Sequence, residues 1–150
     1  MIKFGKGMLM ALTVLVIGGT VPTSASASHW HKGSPKALRG KFQYKRQSTA
    51  EGFGAMYEVT KWHVGIGISN MPSQTISRLR YKKIGSHLYR LKGHVAKNGL
   101  VHAANVDFAV YRKGKTFASI DYGYHKKHGF TKGSYARQVK HFKSGGPVIK

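Results

Sequence analysis

Apolar and polar positions alternate along most of this chain in short runs separated by Gly, Asn and Ser, the pattern of half-buried β-strands. Lys41 to Gln47 is the first, with Phe42 and Tyr44 on one face. Ala55 to Ser69 reads two ways. Trp62, Val64, Ile66 and Ile68 alternate with His63, Gly65 and Gly67 as in a strand, whereas the first half also suits a short helix. Arg78 to Lys83 and Leu88 to Val95 alternate well. Leu100 to Tyr111 puts Leu100, Ala104, Val106, Phe108 and Val110 on one face, and Phe117 to Tyr122 and Tyr135 to Phe142 follow. Six to eight strands of this length predict a mostly β protein, a small antiparallel barrel in preference to a β-sandwich.

Parity fixes one hairpin more closely. A two-residue loop at Gly85-Ser86 would set Arg80 against Leu91 and mix the faces. An odd loop, Gly85-Ser86-His87, sets Tyr81 against Leu91, and three-residue loops with Gly are common. Because a one-residue slip turns every side chain to the opposite face, burial selects the odd loop. Arg78, Arg80, Lys82, Arg90 and Lys92, with His94, then share one exposed face.

The ends differ from the middle. Lys3 and Lys6 precede an apolar run from Met8 to Ile17, and Ala25-Ser26-Ala27 supplies a small-residue cleavage pattern. Residues 1–27 therefore read as a signal peptide, because the run is far short of the roughly 20 residues that span a bilayer. Residues 28–39 are polar, with Gly33 and Pro35, and read as an extended arm. Residues 40–150 read as a single β domain. The chain has no Cys, which removes disulfides and thiol chemistry from consideration.

Charge changes the picture most. Lys and Arg number 26 against four acidic residues, a formal net charge of +22 on 150 residues. Cleavage after Ala27 would remove two of those cations, Lys3 and Lys6. A balance this lopsided speaks of partners and solubility rather than fold, and the partner class is a polyanion. Export leaves nucleic acid as a nonspecific partner only. The expected partners are anionic wall polymers or acidic polysaccharide, or an anionic membrane surface, bound by a monomer that is secreted or loosely associated with the cell wall. Arg78, Arg80, Lys82, Arg90 and Lys92 form the first candidate patch, and Lys126, Lys127 and Lys132 the second.

Other chemistry has little to stand on. Glu51, Glu58, Asp107 and Asp121 are the whole carboxylate supply, and no G-x-S-x-G nucleophile motif occurs, so no enzyme and no cofactor is expected. Asp107 and Asp121 have the opposite parity to the apolar faces of their strands and should meet solvent or a basic neighbour. No metal site is expected either. His29 and His31 would approach a Cu(II) or Ni(II) chelate only if cleavage fell after Ser28, which would place His31 third in the chain. His125-x-x-His128 is flanked by Lys126 and Lys127, whose charges oppose a cation, so it reads as a solvated loop. Below pH about 6.5 the nine histidines would add to the positive charge.

The segment His29-Trp30-His31-Lys32-Gly33-Ser34-Pro35-Lys36-Ala37-Leu38-Arg39-Gly40-Lys41-Phe42 resembles the W-x-K-G-x-P-K-A-L-R-G starts of small secreted proteins of lactic acid bacteria. Arg80 to Arg90 resembles the central hairpin of the same group. That resemblance implies location more than activity. Gly40-Lys41-Phe42 is also similar to the G-x-W opening of the lipocalin-like barrels, with Phe in place of Trp. That likeness implies an Arg from a late strand against the ring, for which Arg137 is the candidate, and a barrel able to carry a small apolar ligand. Trp62, Phe108 and Ile120 would otherwise fill the interior. Ligand carriage and a cationic antimicrobial role are the two alternatives to polyanion attachment.

Overall fold

The computed structural model describes residues 29–44, 54–143 and 146–147. The expected signal peptide and the end of the first expected strand, 45–47, lie outside the described residues. The strands are β1 (His31–Lys32), β2 (Gly40–Gln43), β3 (Ala55–Val59), β4 (Val64–Ile68), β5 (Gln74–Gly85), β6 (Leu88–Val95), β7 (Ala104–Lys113), β8 (Thr116–Asp121) and β9 (Tyr135–Val139). One helix, α1 (Tyr122–His128), follows β8.

Strands β2 to β9 run up and down, each antiparallel to its sequence neighbour, and β9 pairs back onto β2. The result is a closed eight-stranded antiparallel barrel, as the alternation predicted. Closure gives every one of these strands a partner on both sides over at least part of its length. The even positions of the ambiguous segment form β4, and its first half is β3 rather than a helix. Trp62 falls in the two-residue turn between them, where Thr60 N donates to His63 O at 2.9 Å.

The turn between β5 and β6 reproduces the expected register, with Tyr81 opposite Leu91. It does so with Gly85 paired to Leu88 and an irregularity between Lys83 and Gly85. A second irregularity, between Ser77 and Arg80, sets Arg78 and Leu79 against the single residue Gly93. This bulge changes the side-chain parity, so Ile76 and Leu79, three residues apart, both point inward and are buried. Gly93 is required there: a Cβ would collide with Ile76 Cγ2 and lie 2.8 Å from Ser77 O.

The bulge also divides the far edge of β5. β4 pairs with Gln74–Ile76, and beyond the bulge β1 takes over, with His31 opposite Tyr81 and Lys32 opposite Arg80. Residues 29–39, expected as an extended arm, are thus laid against the barrel. Gly33 N donates to Leu79 O, Ser34 N to Lys61 O, and Ser34 Oγ to Thr60 O. A 3-10 turn at Lys36–Leu38 then buries Leu38 completely.

Inside the barrel Leu38, Phe42, Leu91, Val110 and Phe117 belong to one cluster, and the Phe42 and Phe117 rings stack 4.2 Å apart. Phe108 packs against this cluster, and Ile120 is only half-buried. Trp62, expected in the interior, is 51% exposed because it tops a turn. Leu100 is 88% exposed, because Asn98 and Val101 pair across a tight Gly99-Leu100 turn before β7 begins. The arginine against the Phe42 ring is Arg112 of β7, 4.5 Å from its centroid, and not Arg137, which is exposed on β9. Arg112 Nη2 also donates to Gln138 Oε1 at 2.9 Å.

Candidate functional site

The outer face of the β5–β6 hairpin carries the first candidate patch. Arg80 stands opposite Lys92, and Lys82 opposite Arg90. Four cations therefore form two directly facing pairs, an arrangement that costs some tenths of a kcal/mol per pair when left alone. Arg78 is exposed but lies in the bulge, outside these pairs, with a backbone φ of +53°.

Two groups answer part of that repulsion. Asp107, on the adjacent β7, accepts from Arg90 Nε at 2.9 Å and Nη2 at 2.6 Å, and lies 3.8 Å from Lys92 Nζ. This carboxylate raises the Arg90 pKa above its ordinary value, chiefly through the hydrogen bond, against a smaller opposing effect of burial. The basic neighbour expected of Asp107 is thus Arg90. Trp30 supplies the second answer. Its ring centroid lies 5.3 Å from Lys82 Nζ, 5.6 Å from the Arg90 guanidinium and 5.1 Å from Lys92 Nζ. The reason is register: with His31 opposite Tyr81, Trp30 falls alongside Lys82 on the outer face. The indole π-cloud attracts cations most strongly of the aromatic side chains.

The second patch connects to the first. Lys126 and Lys127 sit in the last turn of α1, where cations suit the negative end of the helix dipole. Tyr122, the first residue of α1, takes the Arg90 guanidinium 3.9 Å from its ring centroid and Lys126 Nζ at 5.4 Å. Lys127 and Lys132 are exposed beyond it. His125 and His128, expected in a loop, are helical; His125 packs on Phe130 and His128 on Tyr124. Asp121 accepts from Tyr124 N at 2.8 Å as the N-cap, and Gly129, with φ +70°, ends the helix. Those two residues were the available sequence signal for a helix of only seven residues.

On the other flank of the ladder, Lys32, Trp62, His63, Arg78, Leu79 and Arg80 line an open groove of about 370 Å³. Lys61 Nζ lies 4.6 Å from the Trp62 ring centroid. Sequence reasoning missed Trp30 and Trp62 as members of this face: Trp30 reaches it through the non-local docking of the 29–39 segment, and Trp62 through the turn between β3 and β4.

His29 is exposed, and His31 stacks on Tyr81 with centroids 5.2 Å apart. Among the described residues no cluster of three or more His, Asp or Glu is placed to hold a metal ion. Of the carboxylates, Glu58 lies 3.8 Å from Lys41 Nζ, and Glu51 is outside the described residues. Comparison with protein-family models, curated proteins and solved structures gave no match to this chain.

Proposed function

We propose that this is a secreted protein that attaches electrostatically to an anionic polymer at a cell surface, through the outer face of the β5–β6 hairpin. The observation that carries the reading is the facing of Arg80 with Lys92 and of Lys82 with Arg90. Asp107 balances only part of that charge, and a bound polyanion would neutralise the remainder. Lys126, held near Arg90 by the shared Tyr122 ring, extends the same face towards Lys127 and Lys132. Each cation close to an anionic surface contributes up to about 1 kcal/mol, and dissolved salt screens it. The ladder lies outside the barrel, so the reading asks nothing of the interior, where the stacked Phe42 and Phe117 rings give less support to a small-ligand carrier.

The test is release from purified cell walls as salt is raised. Steep release is expected for the natural protein, and release at lower salt for the Arg80→Ser/Lys82→Ser variant. Retention that is the same at low and high salt would refute the reading. Mass measurement of the protein recovered from culture medium checks export, with loss of residues 1–27 as the expected result.

A further inference from the structure

We propose that the groove beside the cation ladder is a saccharide subsite that accepts a uronate ring, so that the polymer held by this face is an acidic polysaccharide. The inference deepens the polyanion reading and rests on it. A ladder of cations alone recognises charge. The groove adds features that charge does not need.

Its walls are built from three segments locked together. The β3–β4 turn presents Trp62, β5 presents Arg78 from its bulge and Arg80 just beyond it, and Lys32 comes from β1. Gly33, at φ +79°, passes so close beneath the turn that a Cβ there would lie 2.7 Å from Lys61 O and 3.2 Å from Trp62 Cζ3. Hydrogen bonds from Gly33 N to Leu79 O and from Ser34 N to Lys61 O tie the segments at 2.7 and 2.8 Å. The groove is therefore set before any ligand arrives.

Trp62 gives it apolar surface, and Lys32, Arg78 and Arg80 give it positive charge. A pyranose ring has an apolar C–H face that lies flat on an indole, and a uronate adds a carboxylate that an arginine can clasp through two hydrogen bonds. The volume is that of a small-molecule site. Arg78 is held in the left-handed region, a strained conformation for a non-glycine residue that clusters at binding positions. A chain of bare phosphates has no face to lay on Trp62.

Calorimetric titration of the full protein with three probes tests this: an oligouronate, an inorganic polyphosphate of matched charge, and an oligothymidylate. Trp62 is exposed in a turn, so Trp62→Ala should keep the fold, which circular dichroism checks. Trp62→Ala is expected to weaken the oligouronate about tenfold, the worth of one stacking contact, and the polyphosphate less than about twofold. Equal effects on those two probes overturn the subsite, and so does a larger Trp62 dependence for the oligothymidylate. If Lys82→Ser/Lys92→Ser weakens every probe while Trp62→Ala discriminates none, the subsite fails and the polyanion reading stands. If that ladder variant alters no probe, both fail.

Discussion

Arg90 and Asp107 are joined across β6 and β7 by two hydrogen bonds, from Nε at 2.9 Å and Nη2 at 2.6 Å. The fork geometry makes this pair stronger than an ordinary surface ion pair, and both side chains are mostly covered. Asp107 also lies 3.8 Å from Lys92 Nζ, so one carboxylate serves two members of the ladder. Asp107→Asn is expected to cost about 1–3 kcal/mol at low salt, part of it returned as salt screens the unmasked cations. The same change should tighten polyphosphate binding, because a competing anion has been removed. Denaturation at two salt concentrations checks the first expectation. A loss of stability indifferent to salt would show that Asp107 acts through packing alone.

The bulge in β5 offers a pair of opposite outcomes. Arg78→Gly relieves a left-handed φ at the cost of a more flexible unfolded chain, so stability should change by less than about 1 kcal/mol. Binding to an anionic polymer should weaken nonetheless. Gly93→Ala, opposite the bulge, forces a Cβ against Ile76 and Ser77 O and should cost more than about 2 kcal/mol. Urea melts of both variants, beside the natural protein, measure the contrast. Equal destabilisation by the two would mean that the bulge is not the strained element.

What was legible in the sequence follows the range of the interactions. Alternation reports which face of a strand is buried, so most of the barrel strands and the pairing of Tyr81 with Leu91 could be read locally, whereas from alternation the barrel is only preferred over a sandwich, because closure rests on the pairing of β9 with β2. Leu100 and Trp62 failed because alternation continues through a turn without announcing it; each sits at a tight turn and points outward. Arg112 was missed in favour of Arg137 because register around the barrel decides which strand faces Phe42, and that depends on every preceding pairing. The cations of the ladder were identified, but their neighbour Trp30 was not. It lies more than fifty residues away in sequence and meets them only because β1 adds to β5.

Trp30 therefore has its own consequence. Three cationic groups lie within 5.1 to 5.6 Å of its ring centroid. Cation–π contacts at partly exposed sites contribute about 0.5–1 kcal/mol each. Trp30→Ala should lower stability by about 1–3 kcal/mol, and Trp30→Phe by less, since a smaller ring keeps a weaker version of the same attraction. Thermal melts rank the three proteins. If Trp30→Ala melts with the natural protein, the ring rests on the ladder without holding it.

The last expectation concerns alkaline pH. Tyr57 faces Phe42 on β2 and Ile66 on β4, and its ring lies 5.2 Å from Phe117. Burial raises the phenol pKa above its ordinary 10.0, because the ionised form would have to leave water. Well below pH 10.0 the phenol is protonated in folded and unfolded chains alike, and pH has no leverage through it. As pH rises through that value the unfolded chain releases the proton while the folded one keeps it. The unfolded state then binds fewer protons, so stability falls, by up to about 1.4 kcal/mol per pH unit for this one group. Tyr57→Phe has no proton to lose and should escape that part of the decline. The stability difference between the two proteins should stay constant to about pH 9 and then move in favour of the phenylalanine variant. Parallel stability curves through the alkaline range would mean that Tyr57 reaches water in the folded barrel.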